Sequence, residues 1–249
     1  MFFAVAAREL RRLFVTPLGW TVFAVTVGLL SYLFLEQVEH YIRLQSRLMA
    51  LPNAPGITQL VVAQWMGNCA WILILVIPLM TMRTFSEEWR GATMPMLLTS
   101  PLSDSGLVLG KFFSVLIFFT LLILVLALLP ISLVLGTEPD WGLIAAGLIG
   151  LFLYTAAACA IGVYVSLLTR QPWIAAVATT GVLMLLWIMR GDETVQPNLT
   201  IYAYLSTAPH FEAFTRGVIS AVDTCYFLLT CFALLALSVI RFAYMRRVG

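Results

Sequence analysis

Charge is scarce in this chain. Asp, Glu, Lys and Arg make up 10% of its 249 residues, while hydrophobic residues make up 61%. Ordinary soluble domains carry about 25% charged residues, so a water-facing globule is excluded. The scarcity also has a pattern. No Asp, Glu, Lys, Arg or His stands near the middle of any long apolar run. Proton relays and voltage sensors keep such residues at membrane depth. Their absence argues against a proton-driven carrier or a charge-selective channel; a Na⁺ site built from carbonyls stays open.

Metal and catalytic chemistry are equally thin. There are two histidines, His40 and His210, far apart, and the four cysteines include no CxxC pair. Metal-ligand spacing is therefore missing, and Cys69, Cys159, Cys225 and Cys231 read as small apolar packing residues. A phosphate loop is absent too. Gly106 and Gly110 have three residues between them where that loop has four, and Phe112 follows Lys111 where it needs Ser or Thr. Lys111 reads instead as an interface anchor for the third span. No set of nucleophile, base and oxyanion donors converges, so the chain is expected to be non-catalytic and to hold no cofactor. The first apolar run starts late and has no small-residue cleavage site after it, so no removable signal peptide is expected.

What is present is apolar length. Six runs, at about 18–35, 60–82, 112–135, 142–168, 173–189 and 225–241, fill most of the chain. Crossing about 30 Å of hydrocarbon takes roughly 17–25 helical residues, and backbone groups in lipid must be satisfied internally. The expectation is an all-α membrane protein, a single six-span domain over 1–249. Lys and Arg set its orientation: with both termini in the cytoplasm, ten fall inside and four (Arg43, Arg47, Arg190 and Arg216) outside. The fourth run carries small residues at four-residue spacing, Gly142, Ala146 and Gly150, then Ala158, Gly162 and Ser166, a face suited to close helix packing.

The polar segments carry the functional information. Residues 1–17 form an amphipathic segment ending at Pro17, with Phe3, Ala6, Ala7, Leu10, Leu13 and Phe14 on one side and Arg8, Glu9, Arg11 and Arg12 polar. It predicts an interfacial helix whose Arg8, Arg11 and Arg12 lie near lipid headgroups. Between spans two and three, residues 82–112 predict a short helix over Phe85–Arg90. It carries Glu87, Glu88 and Trp89, bends at Gly91, and is followed by an apolar patch at Met94, Met96, Leu97 and Leu98. Ser103 or Asp104 can cap the next span. Charge, aromatic and methionine side chains on one short element suit a docking surface. After span one, Glu36–Leu51 continues as a mixed-charge helix. In the outer segment 190–224, Phe211, Phe214, Val218, Ile219 and Val222 fall on one helical face, with Glu212, Arg216 and Asp223 off it.

"IPLMTMRTFSEEWRGATMPMLLTSPLSDSGLVLGKF" resembles the permease subunits of ABC-2-type ABC transporters, most of all the gliding-motility-associated branch. "ARELRRLFVTPLGW" and "HFEAFTRGVISAVDTCYF" are similar to that branch as well. The resemblance implies a coupling helix at Phe85, Glu87, Glu88, Trp89, Arg90 and Gly91, seated in a cleft of a separate ATP-binding subunit. Two such subunits, carrying ATP and Mg²⁺, and a second copy or a related permease would complete the complex in the inner (cytoplasmic) membrane. Short outer helices around Phe211, Phe214 and Val218 would cap the outer mouth of the path. The family's usual Gly-Thr, hydrophobic and Glu pattern departs here: Ala92 takes the Gly place and Pro95 the Glu place, so the second part of the element is expected bent or shortened. The implied function is export of an unidentified cargo. The rival is mechanotransmission, in which ATP-driven motion acts on an extracytoplasmic or membrane-anchored auxiliary partner without moving cargo. Membrane lipids are implied partners; nucleic acid is not.

Overall fold

A computed structural model describes residues 2–48, 56–91, 94, 103–189 and 204–248. Among these the regular structure is all helical, joined by short turns. The helices are α1 (Phe2–Val15), α2 (Pro17–Leu48), α3 (Ala63–Thr81), α4 (Arg83–Arg90), α5 (Asp104–Ser132), α6 (Trp141–Leu168), α7 (Pro172–Ile188), α8 (Thr207–Thr215) and α9 (Ala221–Val248). A π-helical turn, Thr58–Val62, leads into α3.

Local sequence explains the boundaries. Pro17 opens α2 at the first helical position, where its missing N–H costs nothing. Ser103 caps α5 by accepting from the Gly106 N–H at 3.3 Å, as expected from the sequence. Asp140 caps α6 through the Gly142 and Leu143 N–H groups. The mixed-charge extension of α2 persists to Leu48; the last residues of the expected 36–51 helix lie outside the described residues, as do Pro95 and its neighbours.

α6 is the hub. It packs against α3, α5, α7, α8 and α9, and its small residues set how closely they approach. A methyl group at Gly147 would meet Met66, one at Gly150 would meet Phe214, and one at Gly162 would meet Thr81. Most of the small face expected on the fourth run is thus packing surface, with Gly147 added to it; Gly142 is exposed at the helix start. Apolar side chains on the outside, such as Leu75, Leu124, Leu128 and Phe232, face away from the bundle, as lipid-facing positions do.

Among the described residues, five helical stretches are long and apolar enough to cross a membrane: Pro17–Gln45, Thr58–Arg90, Asp104–Leu135, Trp141–Leu168 and Ala221–Arg247. The fifth expected span is shorter. α7 has 17 residues, about 25 Å at 1.5 Å per residue. Near its end Trp187 meets Tyr154, a residue in the interior of α6, with ring centroids 5.6 Å apart. α8 takes up the space beyond. Phe211 lies by Tyr154, Phe214 by Gly150 and Gly217 by Leu143, so α8 runs alongside the first half of α6 in the opposite direction. It is inserted against the core rather than laid over it.

Candidate functional site

The basic side chains gather at one end of the bundle. α1 lies against the start of α5, and side chains of α4 reach both. The chain's only lysine, Lys111, is at their meeting point and is almost fully buried. Its Nζ donates to Glu88 Oε1 at 2.6 Å, to the Thr84 carbonyl at 2.7 Å and to Glu9 Oε1 at 3.4 Å, and lies 5.0 Å from the centroid of the Phe85 ring. Here the expectation is corrected: Lys111 does not anchor a span in the headgroups. It closes an ion cluster between α1, α4 and α5, because α1 folds back over the first turns of α5.

Glu87, the preceding residue on α4, is paired separately. Arg12 donates to its Oε2 at 2.6 Å, and Arg83 Nε lies 3.3 Å from Oε1. The two acidic residues of α4 are therefore both joined to cations of the same chain. Buried charge is tolerated when it is paired and hydrogen-bonded. The sequence reading placed Glu9 on the polar side of α1; it points inward toward Lys111 and is mostly covered, while Ala7 is exposed. Arg8 and Arg11 remain outside, as expected for headgroup contacts. Trp89 is half-buried with the Arg170 guanidinium 5.3 Å from its ring. Arg90 and Gly91 are exposed. Phe85 is buried.

The junction of α3 and α4 is fixed by a second polar cluster. The Ser166 hydroxyl of α6 accepts from the N–H groups of Phe85 at 3.0 Å and Ser86 at 3.2 Å. It donates to the Met82 carbonyl at 3.0 Å, and Ser86 Oγ donates to the Ser166 carbonyl at 2.9 Å. The first N–H groups of a helix lack intrahelical partners; here a side chain of another helix supplies them. At the chain's C-terminal end, Arg246 reaches back to Asp104 at the start of α5 at 2.6 Å. Ionic and polar contacts thereby cross-link α1, α4, α5, α6 and α9 at this face.

At the opposite end the residues expected to cap the mouth separate. Phe211 and Phe214 are buried beside Tyr154, Trp187 and Phe227. Val218 is 56% exposed, and Ile219 and Val222 also face out. The cause is local: α8 ends at Thr215, and Gly217 adopts φ +81°, which turns the following residues off the apolar face. His210, unassigned by the sequence reading, ties α8 to α9. Its Nδ1 is 2.6 Å from Asp223 Oδ1, and its ring stacks on Tyr226 at 4.2 Å.

Fold and site together define a polytopic α-helical membrane protein with a short helix latched across one face by paired charges. The family model for ABC-2 family transporter proteins matches residues 27–209, more than half of the chain. The chain belongs to that family, whose members are membrane permeases of ABC transporters and normally pair with an ATP-binding subunit. No curated protein matches the chain.

Proposed function

We propose that this chain is the permease subunit of an ATP-driven exporter in the inner membrane, with its basic face and both termini in the cytoplasm and α4 as the coupling helix. A separate ATP-binding subunit, two copies per complex, carries ATP and Mg²⁺, and a second permease copy completes the path. The cargo is unidentified, and the kinship to the gliding-motility branch belongs to this reading as well. The observation that carries it is the way α4 is held. Its outward residues, Arg90, Gly91 and the open side of Trp89, are free to meet a partner, while Glu87 and Glu88 bind α4 to α1 and α5. A push on α4 would be passed to the interfacial helix and to three spans at once, since Ser166 also fixes it to α6. Rigid-body motion of packed helices is an ordinary way to transmit such a displacement.

Docking and transmission separate by mutation. Replacing Trp89 with Ala and Arg90 with Glu removes the outward anchor and leaves both ion pairs in place. The expected result is loss of a co-purifying Walker-motif subunit, and of the ATPase activity it brings, with unchanged thermal stability of the permease. A double variant that keeps the full ATPase activity of the assembled complex would overturn the assignment of α4.

A further inference from the structure

A cavity of about 180 Å³ opens between α1, the start of α2, the α3–α4 junction and α5. That is many times the space one water needs. One wall is apolar: Leu13, Leu18, Leu79 and Val115. The other is ionic: Glu9, Arg12, Arg83 and Glu87. Leu79 is 42% exposed and follows Leu75 by one helical turn on the outward face of α3, so the apolar wall continues onto the lipid-facing surface. The ionic wall lies on the interfacial helix and α4.

The donors on the ionic wall are not used up. Arg83 reaches Glu87 only through Nε, and its terminal nitrogens have no hydrogen-bond partner among the described residues. Arg12 spends Nη2 on Glu87, while its Nη1 stands 3.9 Å from Glu9, beyond hydrogen-bond length. The Glu9 carboxylate has no contact shorter than 3.4 Å. Two guanidinium groups with spare N–H donors suit a phosphate, and a loosely held carboxylate beside them suits an ammonium. Two arginines and two glutamates also cancel. An anionic headgroup would meet as much negative as positive charge here, whereas a zwitterion complements both.

We propose that this cavity is a binding site for a zwitterionic phospholipid of the phosphatidylethanolamine type, with its phosphate on Arg83 and Arg12, its amine on Glu9, and its acyl chains leaving past Leu79. The site lies against α4 and the interfacial helix, so the occupying lipid would stiffen or loosen that contact. This goes beyond the permease assignment and does not depend on it.

The test is lipid binding to the delipidated full-length chain by native mass spectrometry, with phosphatidylethanolamine, phosphatidylglycerol and inorganic phosphate as probes. One phosphatidylethanolamine should bind with about tenfold preference over phosphatidylglycerol, a difference of about 1.4 kcal/mol. Arg83→Ala should weaken it about tenfold. Leu79→Trp, an outward substitution that narrows the mouth without touching the ion pairs, should weaken it as well, and Arg43→Ala at the opposite end should not. Equal binding of both lipids, unaffected by either cavity variant, would mean annular lipid and overturn the site. Displacement by millimolar phosphate with no need for acyl chains would overturn its assignment to a lipid.

Discussion

Lys111 has almost no contact with solvent, and its neighbours share its charge among two carboxylates and a carbonyl. For such a group the pair matters more than either member. Removing one partner leaves an uncompensated buried charge, at a cost of about 3–5 kcal/mol, while replacing both by apolar or neutral groups is often neutral. Lys111→Met should therefore lower the melting temperature of the detergent-solubilised chain sharply, and adding Glu88→Gln should restore most of the loss. If Lys111→Met melts like the unmodified protein, the cluster is not a structural element. None of this was legible in the sequence. Residues 9, 88 and 111 are far apart in the chain, and a lone lysine before an apolar run reads as a headgroup anchor. Only the folding of α1 onto α5 turns Glu9 and Lys111 toward each other. A prediction at Tyr154 follows the same logic with the opposite sign. Its hydroxyl is buried and has no hydrogen-bond partner among the described residues, so Tyr154→Phe should be neutral or stabilising by about 1 kcal/mol. A loss of transport at unchanged stability would instead assign the hydroxyl to cargo contact.

Helix-level features were far more readable. The apolar runs, the short helix carrying Glu87, Glu88 and Trp89, the Ser103 cap and the small face of α6 all follow from spacing and residue type. Local patterns of this kind survive folding because the 3.6-residue period and the capping chemistry are properties of the segment itself. Where a segment's pattern was interrupted by a backbone event, the reading failed. Val218 shares a helical face with Phe214 only if the helix continues, and Gly217 ends it. The small face of α6 makes a sharp mutational contrast. Gly162→Val would drive a branched side chain into Thr81, beside the Ser166 cluster that fixes α4. Overpacking of this kind costs about 1–3 kcal/mol. Gly181→Ala on α7 meets nothing within 4 Å and should be neutral or slightly stabilising. Equal melting temperatures for the two variants would show that the close approach at Gly162 relaxes freely.

At the scale of the whole molecule, the number of crossings turns on α7 and α8. The sequence gives six apolar runs, but α7 ends at the depth of Tyr154 with 17 residues, and α8 fills the space beyond it. α7 nevertheless starts at the basic end of the bundle and runs away from it toward α8, which continues along the first half of α6. Arg170, just before it, stacks on Trp89 at the basic face, and Trp187, near its end, lies with Phe211 of α8. A protein that crosses six times has α1 on one side of the membrane and the turn after α8 on the other. If α7 does not cross, both lie on the same side. Cysteine labelling decides between these. In a background with Cys225 and Cys231 replaced, Arg8→Cys and Val218→Cys place single accessible thiols on α1 and after α8, both exposed positions. A membrane-impermeant maleimide should label Val218→Cys in intact cells and reach Arg8→Cys only once the membrane is opened. The positive-inside bias sets that direction. Labelling both positions alike in intact cells, or protecting both, would mean that α7 and α8 together form a re-entrant hairpin. The chain would then cross five times, with its termini on opposite sides, and the salt bridge from Arg246 to Asp104 at 2.6 Å could not form in the membrane.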